Sequence, residues 1–143
     1  MAIDRAAALA FVREHNRGAL VTLRRDGRPQ ISNILYVPGE DDVIRISVTG
    51  SRAKTKNLRR DPRASLHVTR DDYFAYVVLE GTVALSPVSE EPNDATVDSL
   101  VEMYRAARGE HPDWDEFRQA MVDEGRVLAQ LQVERAYGML GAP

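Results

Sequence analysis

The spacing of apolar residues changes period several times along the chain, and each change marks an element. Ala8, Leu9, Phe11 and Val12 repeat at helical spacing after Asp4, whose carboxylate can accept a first-turn N–H. A helix is therefore predicted over about 5–16, with Gly18 ending it. Residues 19–23 alternate weakly and read as a strand. Asp26-Gly27 accepts the positive φ of a tight turn, so the chain is expected to return as a hairpin strand over 29–37. After the turn Pro38-Gly39-Glu40-Asp41-Asp42, a strand over 43–49 alternates Ile44, Ile46 and Val48 with Arg45, Ser47 and Thr49. Gly50-Ser51 breaks it. Ser51 is the expected N-cap of a short helix over 52–60, which Asp61-Pro62 terminates. Strands over 63–69 and 74–86, helices over 94–108 and 113–123 and a last strand over 126–137 complete the pattern. Six strands joined mostly by hairpins predict a mainly β fold, a small antiparallel barrel with flanking helices. With no repeat, low-complexity tract or linker, residues 1–143 read as a single domain.

Composition narrows the chemistry. Hydrophobic residues at 43% and charged residues at 29% fit a soluble globule rather than a disordered chain. Cysteine is absent, which removes disulfides, thiolate metal sites and a cysteine nucleophile. His15, His67 and His111 are too scattered for a histidine metal site, so no metal is expected. No apolar run approaches the roughly 20 residues of a membrane span. The start, Met-Ala-Ile-Asp-Arg, lacks a signal-peptide plan, so a cytoplasmic protein is expected.

Charge is uneven. Residues 52–63 carry Arg52, Lys54, Lys56, Arg59, Arg60 and Arg63 against Asp61 alone, a net of +5 in a chain of net charge −3. Residues 89–125 carry eleven acids against three arginines, a net of −8. One concentrated cationic stretch suits a small polyanion better than a long nucleic acid, which would need a whole basic face, so no nucleic-acid partner is expected. Arginine outnumbers lysine 17 to 2, and both lysines, Lys54 and Lys56, lie in this stretch.

The cationic stretch opens a helix just after a strand and a Gly-Ser break. Unpaired N–H groups of a helix start, joined by Ser51, Arg52, Lys54 and Thr55, would make a phosphate pocket. A solvated basic helix fits the same pattern. The run is not a P-loop, because the glycines and the Gly-Lys-Ser/Thr end are missing. Gln30, Ser32 and Asn33 place amides and a hydroxyl on a strand where they could read the edge of a planar heterocycle, or simply face water. Tyr73-Phe74-Ala75-Tyr76 could wall a flat ring or pack in a core or dimer contact. Trp114 and Phe117 can share a helix face, as core or against a substrate. No triad, paired-carboxylate site or Gly-x-Ser-x-Gly motif is present, so no residue is assigned as catalytic. Any reaction would rely on a bound cofactor.

Four stretches together resemble a known family: Arg28-Pro29-Gln30-Ile31-Ser32-Asn33; Ser51-Arg52-Ala53-Lys54-Thr55-Lys56-Asn57-Leu58 running to Asp61-Pro62-Arg63; Phe74-Ala75-Tyr76 running to Gly81; and a late Tyr104-Arg105 followed by His111-Pro112-Asp113-Trp114 running to Met121. The chain resembles the pyridoxamine-phosphate-oxidase-like split β-barrel proteins, and among them the actinobacterial subgroup that binds the deazaflavin coenzyme F420. The resemblance implies a six-stranded antiparallel split β-barrel forming a homodimer, with cofactor sites at the interface. It implies that Arg52, Ala53, Lys54, Thr55 and Asn57 hold the cofactor's phosphate and acidic tail. Gln30, Ser32, Asn33 and Ser47 would line the ring, and Phe74 and Tyr76 would come from the partner. FMN-binding relatives tend to have Arg-Lys adjacent after the serine; Ala53 intervenes here and leans toward F420. The implied reaction is hydride transfer from reduced F420 to a planar unsaturated small molecule, biliverdin-like or enone-type. The alternatives are an FMN-dependent oxidase or reductase, and a protein that stores F420 or a haem-like tetrapyrrole without turnover.

Overall fold

The computed structural model describes residues 2–141 and orders the chain as α1 (Arg5–Arg13), β1 (Arg17–Leu23), β2 (Pro29–Leu35), β3 (Val37–Pro38), β4 (Val43–Thr49), α2 (Ala53–Arg60), β5 (Arg63–Thr69), β6 (Tyr76–Leu85), α3 (Ala95–Arg108), α4 (Trp114–Asp123) and β7 (Arg126–Met139). Three helices begin on an aspartate: Asp4, Asp94 and Asp113 accept from Ala7, Val97 and Glu116 N–H, at 3.3, 2.8 and 3.1 Å. The fourth differs. The N-cap of α2 is Arg52, not the expected Ser51, and it makes no side-chain cap bond. The first helix ends at Glu14, earlier than expected, and Gly18 lies inside β1. A Cβ there would sit 2.6 Å from the His67 carbonyl oxygen, so close strand contact, not helix termination, explains this glycine.

The strands form one antiparallel sheet in the order β2-β1-β5-β6-β7-β4-β3. It curls into the expected split barrel, with seven strands rather than six because the run 29–37 divides at Tyr36. Leu35 makes the last pair with Arg17 of β1, and Val37 makes the first pair with Arg45 of β4, at the opposite edge of the sheet. Tyr36 crosses between them: its N–H donates to Asn16 O (3.0 Å) and its hydroxyl to Val12 O (2.7 Å). Burial pushes the pKa of this phenol up. The simple meander is also modified. β5 inserts between β1 and β6, so the chain crosses the barrel through α2.

Period-two alternation turns one residue set inward. Leu20, Ile44, Ile46, Leu66, Leu79 and Leu131 are each 0–1% exposed and form the barrel core with Leu9 and Val12 of α1. Each such side chain contributes about 1.5–3 kcal/mol of burial. Between Glu80/Arg135 and Gly81/Val133 the register shifts, leaving Glu134 of β7 as the extra residue of a bulge; a Cβ on Gly81 would lie 1.9 Å from the Gln132 carbonyl oxygen.

Candidate functional site

β4 ends at Thr49, paired with Arg126 of β7, and Gly50 N–H donates to Gly125 O (2.9 Å). The chain then turns into α2, bringing the cationic stretch to this corner. Its six cations divide by partner. Arg59 donates to Gly50 O (3.1 Å), Arg60 to Leu23 O and Asn57 Oδ1, and Arg63 makes a two-bond pair with Asp61 (3.0 and 2.8 Å). Among the described residues, Arg52, Lys54 and Lys56 have no side-chain partner. Burial, together with the charges of Arg52 and Arg126, holds the Lys54 pKa below the usual lysine value. Arg126 therefore belongs to the same electrostatic corner, and sequence reasoning missed it. Finding it requires knowing that β7 pairs with β4 in register, which puts Arg126 opposite Thr49.

Two predicted phosphate ligands turn inward. Thr55 is fully buried and its hydroxyl donates to Thr49 O (2.7 Å). Asn57 Nδ2 donates to Thr22 Oγ1 (3.1 Å) and Gln30 Oε1 (2.9 Å), while its oxygen accepts from Arg60 (3.1 Å). This hub locks α2 onto β1 and β2 and so fixes where Arg52, Ala53 and Lys54 stand. The predicted ring-lining residues separate. Gln30 and Ser32 pair with Thr22 and Leu20, both buried, so they occupy the inner face; Ser32 Oγ is buried without a partner among the described residues. Asn33 lies on the opposite face of β2, and Ser47 on the outer face of β4.

Two grooves flank this edge. One, of about 360 Å³, runs between the sheet and the α3–α4 pair, lined by Ser47 and Arg126 below and by Met103, Tyr104, Phe117 and Met121 above. Tyr104 packs edge-on against His111, Trp114 and Phe117, with centroids 5.1, 5.7 and 5.1 Å away. Arg118 clamps α4 by donating to Asp98 and to Pro92 O, each at 2.9 Å. Phe117 is thus a groove residue. Trp114 packs beside it under the Arg105 guanidinium, 4.8 Å from the ring centroid. Among the described residues, no aspartate, glutamate or histidine lines this groove. The other groove, about 690 Å³, lies on the outer sheet face between Asn33, His67 and Tyr73. Tyr76 stacks on His67 at 5.6 Å. β6 begins at Tyr76, two residues later than expected, so Phe74 stands in the preceding turn. Asp72 shapes that turn, accepting from Phe74 N–H and Arg70 Nε, both at 2.9 Å. Tyr73 has φ +66°.

A family model described as pyridoxamine 5'-phosphate oxidase matches residues 5–140. The chain belongs to the pyridoxamine 5'-phosphate oxidase family. Solved structures with this family fold include the conserved hypothetical protein Rv2991 from Mycobacterium tuberculosis, at 23% identity and TM-score 0.73 over 96% of this chain and 84% of that one. An F420 reductase is similar at 22% identity and TM-score 0.62, covering 90% and 94% of the two chains. A heme binding protein from Mycobacterium smegmatis is similar at 21% identity and TM-score 0.69, over 99% of this chain and 56% of that one. At these identities the likeness establishes the fold. Among the described residues of this family member, no helix is long and apolar enough to cross a membrane.

Proposed function

We propose that this protein is a cytoplasmic, homodimeric reductase that uses reduced coenzyme F420 to reduce a planar unsaturated small molecule, biliverdin-like or enone-type. The single observation carrying this reading is the corner where Arg52 and Lys54 stand within electrostatic reach of Arg126, itself part of a groove with no carboxylate in its lining among the described residues. Arg52, Ala53 and Lys54 receive the phosphate and acidic tail, and Thr55 and Asn57 hold the helix that presents them. Ser47 lines the helical groove in which the ring is placed, Gln30 and Ser32 back it from the inner face of β2 with Gln30 tied to Asn57, and Asn33 faces the outer groove, where Phe74 and Tyr76 of a second copy approach. The bound deazaflavin supplies the hydride. The protein's own task is to align two flat molecules at about 3–3.5 Å and keep water out. A groove of 360 Å³ is in the range of ligand pockets. The Ala53 spacing favours F420 over FMN.

Side-by-side fluorescence titration of F420 and FMN tests the cofactor. Saturable F420 binding, tighter than FMN, is expected, with oxidation of reduced F420 on adding an enone or tetrapyrrole acceptor. Tighter FMN binding would reassign the protein as an FMN enzyme. A second reading, storage of F420 or of a haem-like tetrapyrrole, is favoured by the absence, among the described residues, of a carboxylate or imidazole from the groove lining. Tight binding without turnover against any acceptor would establish it.

A further inference from the structure

Arg126 is held differently from the other arginines near this edge. Its backbone carbonyl accepts from Ser89 N–H (2.9 Å) and Ser89 Oγ (2.8 Å), so the residue's position is fixed from behind. One end of the guanidinium donates to Glu124 (3.0 Å). Nε is buried and has no hydrogen-bond partner among the described residues. A buried N–H of a charged group left unpaired is costly and calls for an acceptor. The side chain lines the helical groove beside Ser47, and its charge is felt at Lys54. Beyond the Glu124 contact, no carboxylate among the described residues pairs with Arg126, Arg52 or Lys54.

We propose that Arg126 is an anion-binding residue: its free Nε–H donates to a phosphate or carboxylate oxygen of a ligand whose flat body lies in the groove beneath Tyr104 and Phe117. The identity of that ligand rests on the F420 reading; the anion site itself does not. Arg126 joins the cationic corner to the groove. It fixes which end of an elongated ligand meets α2 and which end meets the aromatic wall. A planar guanidinium suits this role because it offers a directed N–H while its other arm stays on Glu124.

The experiment compares F420 with the same deazaflavin lacking phosphate and acidic tail, titrated into the wild type, Arg126→Gln and Arg126→Lys. The glutamine variant is expected to lose about tenfold or more in affinity for F420 and less than about twofold for the uncharged analogue. The lysine variant should recover only part, because it restores charge without the directed N–H. Equal losses for both ligands, or no loss, would overturn the proposal while leaving the F420 reading intact. If the wild type binds neither ligand, the F420 reading fails. Pyrophosphate titration of the wild type, followed by NMR at the arginine Nε–Hε resonances, then decides alone. A saturable shift of the Arg126 resonance supports the anion site, and an unmoved resonance ends it.

Discussion

The groove under α3 and α4 and the groove on the outer sheet both include Leu35 in their linings, yet they are enclosed by different means. The first has a sheet floor, a helical roof and cations at one end, all supplied by one chain. The second lies on open sheet, and the apolar residues on that surface stand in solvent: Tyr73 is 80% exposed, Phe74 76%, Ile31 64%, Leu35 59% and Met139 56%. Apolar exposure of this extent marks an interaction surface. The contrast separates two tasks. The helical groove is walled by one chain and is the proposed seat of the ligand, whereas the outer groove would gain a lid from another molecule, for which the proposed occupant is a second copy.

The largest expected effect removes both grooves at once. Leu79 is fully buried in the shared core, and Leu79→Ala should cost about 2–5 kcal/mol, read as a lowered urea midpoint. The next separates them. Ile31→Asp puts a carboxylate into the outer surface and should weaken dimerisation by roughly a hundredfold or more with the fold intact, as seen by sedimentation and circular dichroism. A wild type that is monomeric at all concentrations would remove the second copy from the account. Asn57→Ala leaves Thr22, Gln30 and Arg60 without their shared partner, so about 1–3 kcal/mol of stability should be lost and F420 affinity should fall as α2 loosens. A melting temperature equal to wild type would show that the hub is not what fixes α2.

Lys54→Ala should give the smallest and most diagnostic change: several-fold weaker F420 binding with a slightly higher melting temperature for the free protein. The sign follows from its lowered pKa. Between the folded and unfolded pKa values the unfolded chain binds the proton more readily, so stability rises with pH in that window. Removing the charge relieves this penalty at neutral pH. Bound anion favours the protonated lysine, so wild-type affinity should fall as pH rises through the lowered pKa, and the alanine variant should lack that inflection. Parallel pH profiles for the two proteins would show that Lys54 is not the titrating group.

Alternation and capping made most of the fold legible. Residues 43–49 and 63–69 are strands over the expected spans because inward and outward residues alternate without interruption, and Asp94 and Asp113 announce their helices. Tyr36 could not be read in this way. It continues the β-like run locally, and only its ties to Asn16 and Val12 show that the chain leaves one sheet edge there. The candidate site is legible where a feature is local, as in the cationic run opening α2. It is not legible where pairing decides: Arg126 reaches the corner through β4–β7 register, and the three polar residues of β2 divide between faces. Free and committed arginines look alike in sequence; Arg63 is distinguished from Arg52 by Asp61 folding back on it.

The seam of the barrel is one residue wide, and that residue is bolted to α1 through its hydroxyl. The sheet side of the helical groove therefore has no slack. Opposite it, α4 has no fully buried side chain and hangs from α3 by ring contacts and the Arg118 clamp. On the proposed reading the pair would act as a vice with one fixed and one sprung jaw, with α4 displaced to take molecules of unequal thickness while the strand edge keeps its alignment. Amide exchange slowed in α4 on loading, and unchanged in β4, is the signature of that asymmetry.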